Sequence, residues 1–140
     1  MRDAGVPVAL GVDGSASNDS GNIIQEARQA MLLQRVASGA GAMSAREALF
    51  IATRGGAQVL GRDDCGEISA GKCADIAIWD LNGVESAGNW DPAAMLLAGP
   101  MQARDVFVHG RQVVTSGRIA TLDTLTLAAR QRQHMQRLMT

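Results

Sequence analysis

The stretch Val8-Ala9-Leu10-Gly11-Val12-Asp13 limits what this chain can become more than any other. Val6, Val8, Leu10 and Val12 recur at period two, and Ala9 and Gly11 between them are also non-polar. A near-continuous apolar run suits a strand covered on both faces, as in a parallel α/β sheet. The run ends in Asp13, and Gly14-Ser15-Ala16-Ser17-Asn18-Asp19 follow as a small, polar loop. In open α/β sheets and (β/α)8 barrels, ligand chemistry gathers at the carboxyl ends of strands. Asp13 stands at such an end.

A helix is expected from about Ile23 to Ala37. Asn22 and Gln25 have the spacing of a capping box, and Ile23, Ala27, Ala30, Met31 and Val36 can share one face. Glu26, Arg28, Gln29 and Arg35 stay on the polar side, and Gly39 and Gly41 end the helix. Ser44 with Glu47 forms a second capping box, opening a helix that reaches Thr53. Gly55-Gly56 is expected to interrupt it, with one more turn over Ala57–Leu60 closed by Gly61. From Arg62 short β-type runs replace helical patterning. Ile76–Trp79, Val106–Val108 and Gln112–Val114 read as strands, the last two joined through His109-Gly110-Arg111. Asn82 to Asp91 reads as a loop, and Pro92 takes the first position of a short helix. Asp123 or Thr124 caps a terminal helix through Leu138, with Leu125, Leu127, Ala128, Met135 and Leu138 as its apolar side.

The chain has 140 residues, whereas a complete (β/α)8 barrel needs ~250. It therefore reads as the C-terminal part of a longer protein, and Met1–Gly5 as a helix end stopped by glycine. Alone it should fold poorly and associate or aggregate, because one barrel strand without neighbours leaves its edges open. Net charge is −1, from 13 basic and 14 acidic residues, which gives no pull toward nucleic acid or an anionic membrane. No apolar run approaches the ~20 residues of a membrane span, and no signal peptide pattern opens the chain. A cytoplasmic location is the expectation. Cys65 and Cys73 lack a metal-binding or redox spacing and read as free, partly buried thiols.

Two stretches carry a family resemblance. Gly11-Val12-Asp13-Gly14-Ser15-Ala16-Ser17-Asn18-Asp19 resembles the last barrel-strand motif of the metal-dependent amidohydrolase superfamily. The similarity is greatest to the aminohydrolases that deaminate ring amidines, the group of 8-oxoguanine deaminases, guanine deaminases and triazine hydrolases. Cys65-Gly66-Glu67-Ile68-Ser69-Ala70-Gly71-Lys72-Cys73-Ala74-Asp75-Ile76 resembles the stretch that returns the chain from that barrel to a small β-sandwich. Its residues read as structural: Gly71-Lys72 turns, Asp75 holds the strand entry, and Ile76 and Ile78 pack one face. The segment 106–114 resembles the sandwich hairpin that follows.

The resemblance implies an α/β fold, the C-terminal end of a (β/α)8 barrel, TIM-like, with its last strand and following helices. Part of a small β-sandwich and a terminal helix complete it. Residues 1–61 would belong to the barrel, 62–119 to the sandwich and 120–140 to the terminal helix. It also implies that Asp13 is both a catalytic residue and a ligand to one divalent metal, zinc or iron. The remaining ligands would be histidines from earlier strands, with a proton-shuttling glutamate, all in a missing N-terminal barrel portion. His109 and His134 do not match those positions. A divalent cation can lower the pKa of water from about 15.7 toward about 7, which suits hydrolysis of a ring carbon–nitrogen bond. Ser15, Ser17 and Asn18 would border the substrate, a small heteroaromatic molecule. Asn18 or Asp19 could equally serve only the helix start. The substrate implied is 8-oxoguanine or a similar purine, in a protein that forms homo-oligomers. An s-triazine amino- or chlorohydrolase of the hydroxyatrazine type is the alternative. A non-catalytic segment contributing packing or oligomer contacts is a reading of another class. One carboxylate cannot hold zinc alone, so the isolated chain should be inactive.

Overall fold

The computed structural model describes residues 4–14, 16–18, 20–99 and 101–139. Among the described residues five α-helices and four strands follow one another: α1 (Ile23–Ser38), α2 (Ala45–Ala52), α3 (Arg54–Val59), β1 (Ile76–Trp79), α4 (Pro92–Ala98), β2 (Ala103–Val108), β3 (Arg111–Thr115), β4 (Arg118–Ile119) and α5 (Thr124–Leu138). A 3-10 turn covers Val84–Ser86. The α/β character expected from the sequence is present as helices followed by a four-stranded antiparallel sheet in the order β1-β2-β3-β4.

The helices form where their caps predict. Asn22 accepts hydrogen bonds from the backbone N–H groups of Ile24 and Gln25 and starts α1. The reciprocal half of a capping box is missing, because the Gln25 amide oxygen accepts instead from the Ser20 hydroxyl at 2.9 Å. In α2 both halves exist. The Glu47 backbone N–H donates to the Ser44 hydroxyl at 3.2 Å, and the Ser44 backbone N–H donates to the Glu47 carboxylate at 2.8 Å. Asp91 caps α4 with Pro92 at its start.

The core lies where α1, α2 and α4 meet. Ala27, Met31, Ala45, Ala48, Ala93 and Leu97 are buried there, with Leu10, Ile24, Met43 and Leu49 packed around them. Four of these six buried residues are alanine, so the helices approach closely and little side-chain volume fills the space. Leu97 is the largest fully buried side chain.

The run from Val6 to Val12 pairs with no strand among the described residues, as expected of a single barrel strand without neighbours. Period-two patterning reports which faces seek burial, not where a ladder partner stands. The run lies instead across the α2–α3 junction, with Leu10 reaching the core. One expectation needs correction: Gly55 and Gly56 do not interrupt the helix but lie inside α3. The Val8 carbonyl oxygen sits where a Cβ on Gly55 would project, so glycine serves close approach rather than a break. On the other side of α3, a Cβ on Gly66 would stand 2.9 Å from the Ala57 Cβ. The terminal helix forms as expected, and no residue of α5 is buried; Leu125 and Leu138 are each 81% exposed. The helix is held by its own ladder and by Asp123, which accepts from the backbone N–H groups of Leu125 and Thr126.

In the sheet, Ile76 pairs with Phe107 and Ile78 with Asp105, while Val106 pairs with Val114. The β2–β3 turn is tighter than expected. His109 and Gly110 alone form it, with φ of 51° and 74°, and Arg111 already pairs with Val108 in the ladder. Positive φ at both central residues matches the right-handed twist of the flanking strands. Asp75 does hold the strand entry, accepting from the His109 backbone N–H at 2.7 Å.

Candidate functional site

The extended run from Val6 ends in a corner. Asp13 has φ 57°, one of three described non-glycine residues at positive φ. Aspartate tolerates this left-handed region better than most residues, and such conformations collect at functional sites. The chain turns there in one step and carries the carboxylate into an exposed position.

A short loop fixes that carboxylate. The Ser17 hydroxyl donates to Asp13 Oδ2 at 2.8 Å and lies 3.1 Å from the Gly14 carbonyl oxygen. A hydroxyl has one proton, and the charged acceptor at the shorter distance takes it. The backbone N–H groups of Ser17 and Asn18 both donate to the Gly14 carbonyl at 3.0 Å, closing the loop. The Ser17 bond, and next the Gly14 backbone, hold the Asp13 carboxyl below its ordinary pKa. Asp13 is thus an ionised oxygen donor at neutral pH.

Asn18 has two jobs. Its Oδ1 accepts from the Ser20 backbone N–H at 3.0 Å, and its Nδ2 donates to Glu26 Oε1 at 2.8 Å. It does not cap α1; Asn22 does. Sequence patterning places Glu26 only on the polar face of α1. The signal that could have found it is a turn-forming loop followed at once by a helix whose first turn carries an acid. Ser15 and Asp19 lie outside the described residues.

Ser17 and Asn18 are therefore brought to Asp13, while the two histidines are not. His109 sits in the exposed hairpin turn and His134 on the exposed face of α5. Among the described residues no group of three or more His, Cys, Asp or Glu side chains could hold a metal ion. Asp13 fits a divalent cation as one hard oxygen ligand, and a complete coordination sphere needs donors from outside these residues.

The thiols lie elsewhere. Cys65 and Cys73 are free and half-buried, as expected. Cys73 donates to Asp64 Oδ2 at 3.2 Å, while Arg62 grips both Asp64 oxygens at 2.8 Å. The Asp64 hydrogen bond, then burial, pushes the Cys73 thiol above its ordinary pKa, which keeps it protonated and unreactive. This cluster supports the β1 entry rather than a site, since the Cys73 backbone N–H also donates to the Asp64 carbonyl at 2.6 Å.

Comparison with known proteins gives these features a context. The chain is 48% identical over 133 residues to 8-oxoguanine deaminase of Pseudomonas aeruginosa, a match covering 94% of this chain and 30% of that protein. Atrazine chlorohydrolase TrzN from Arthrobacter aurescens TC1, solved with zinc, is 41% identical, with a TM-score of 0.85 over 92% of this chain and 30% of that one. An adenosine deaminase from Xanthomonas campestris with bound zinc is 34% identical, with a TM-score of 0.88 over 97% of this chain and 32% of that one. The chain thus spans about three tenths of the length of the relatives it matches. The amidohydrolase family model matches residues 1–113, and the chain belongs to the amidohydrolase family.

Proposed function

We propose that this chain supplies Asp13, a metal-ligating carboxylate, to a hydrolytic deaminase that replaces a ring amino group by oxygen. The substrate is 8-oxoguanine or a closely similar purine. The observation that carries the reading is an exposed, ionised aspartate at a left-handed corner, with one oxygen held by Ser17. The balanced reaction consumes the aminopurine and one water and yields the oxo-purine and ammonia. A divalent metal, zinc in this reading, supplies the electrophilic assistance that makes water reactive at neutral pH. Asp13 accepts a proton from the attacking water and passes it toward the departing ammonia. The Ser17 hydroxyl fixes the carboxylate's rotation. Ser15, Ser17 and Asn18 border the heteroaromatic ring.

Residues 1–61 form the closing part of the catalytic barrel, 62–119 part of a small sandwich, and 120–140 a terminal helix. The histidine ligands and the proton-shuttling glutamate come from the rest of a longer, homo-oligomeric cytoplasmic protein. The 140-residue chain alone has no deaminase activity. In the full-length protein, Asp13→Ala is expected to lose bound zinc and ammonia release from 8-oxoguanine by at least a hundredfold. Retained zinc and activity would remove the assignment.

The 41% identity to atrazine chlorohydrolase supports a second reading, an s-triazine amino- or chlorohydrolase. The released group separates them: ammonia from the purine, or chloride or an amine from the triazine.

A further inference from the structure

We propose that Glu26 is a positioning residue for Asp13, acting through Asn18; this rests on the reading of Asp13 as a metal ligand. The described residues between Asp13 and Ser20 lie in no helix or strand, so their placement depends on what ties them to a rigid element. That element is the first turn of α1. Ala27, next to Glu26, is fully buried in the core, and Met31 one turn on is buried beside it. Glu26 is half-buried at this fixed point.

From Glu26 the path to Asp13 is short. Glu26 Oε1 accepts the Asn18 amide at 2.8 Å, a part-buried and charge-assisted bond. The Asn18 backbone N–H reaches the Gly14 carbonyl at 3.0 Å, and the Ser17 hydroxyl reaches Asp13 Oδ2 at 2.8 Å. Among the described residues the other side-chain tie between loop and helix is the exposed, uncharged Ser20–Gln25 contact at 2.9 Å. Among the described residues Glu26 makes no ion pair, so its carboxylate is committed to the loop. A ligand must be held within about 0.5 Å of its productive position to bind metal well. Releasing the loop from α1 removes that constraint.

A blander role is open to Glu26. An acid in the first turn favours the helix dipole through its charge alone. Substitutions separate the two. Glutamine keeps an oxygen acceptor for Asn18 but loses the charge, whereas alanine loses both.

The test uses the full-length protein with Glu26→Ala, Glu26→Gln and Asp13→Ala, each carried through three measurements. Zinc affinity is read by competition with a chelator. Amide hydrogen exchange of residues 14–20 is read in zinc-free protein. The thermal midpoint is read alongside. Glu26→Ala is expected to weaken zinc binding about tenfold and to speed loop exchange about tenfold, with α2 and α4 amides unchanged. Glu26→Gln is expected to stay within about threefold of the parent in both. Wild-type loop exchange in Glu26→Ala overturns the proposal, and so does a glutamine variant as impaired as the alanine one. If Asp13→Ala keeps parental zinc affinity, the ligand assignment fails, while loop exchange in the Glu26 variants still decides the tether.

Discussion

The carbonyl oxygen of Val8 occupies the space that a side-chain carbon on Gly55 would need. This relation joins the extended run that ends in Asp13 to helix α3. Gly55→Ala must push the two apart and is expected to destabilise the protein by about 1–3 kcal/mol, in the manner of an overpacked core. Gly56, its neighbour in α3, has nothing within 4 Å of the equivalent position. Gly56→Ala should therefore stabilise by ~0.5–1 kcal/mol through reduced backbone freedom in the unfolded chain. Denaturant midpoints of the two variants check the contrast. Equal effects would show that the Val8 contact is not limiting.

Leu97 is 1% exposed at the meeting point of the helices. Its alanine neighbours cannot expand to fill a cavity. Leu97→Ala is expected to cost about 2–5 kcal/mol, with the size set by how far α4 can move inward. Chemical denaturation with an unchanged m-value is the measurement.

Ser17→Ala removes the larger of the two influences that lower the Asp13 pKa. The carboxyl midpoint, followed by carbon NMR, should rise toward the ordinary value of 3.8. The sign for stability follows. A depressed carboxyl pKa contributes loop order that is fully present above the unfolded value and is lost as pH falls through the folded one. The amides of Ser17 and Asn18 should therefore lose protection as pH falls below about 4 in the parent, and this pH dependence should flatten in Ser17→Ala, where the pKa difference is largely gone. An unchanged midpoint would detach Ser17 from Asp13.

Cys73 is shielded by its bond to Asp64. In a Cys65→Ser background, Asp64→Asn should lower the Cys73 pKa and increase its alkylation rate at pH 8 on the order of threefold to tenfold through a larger thiolate fraction. The raised thiol pKa contributes stability that is present at neutral pH and is lost as pH climbs through the folded value. A rate equal to the parent's would show that burial alone protects the thiol.

Local chemistry carried over well from sequence to structure. The Ser44–Glu47 capping box, the proline start of α4 and the strand at Ile76–Trp79 each depend on neighbours within a few residues. What depended on distant chain did not carry over. The apolar alternation before Asp13 identified a segment seeking cover, yet Gly55 and Leu10 reveal its actual contacts. The apolar residues of α5 have the spacing of a buried face, but spacing cannot supply the surface that would cover them. At the candidate site, Asp13, Ser17 and Asn18 were legible as an acid and its loop. Glu26 was not, because its bond to Asn18 exists only after the loop folds back over the helix start.

The left-handed corner at Asp13 has a last implication. Because direction changes within one residue, the backbone at Asp13 brings the carboxylate out into the open, and the loop that follows fixes its rotation. A β-branched residue at position 13 would strain this corner as well as remove its oxygens. Backbone and side chain at this one position therefore act together, and a substitution there alters two things at once.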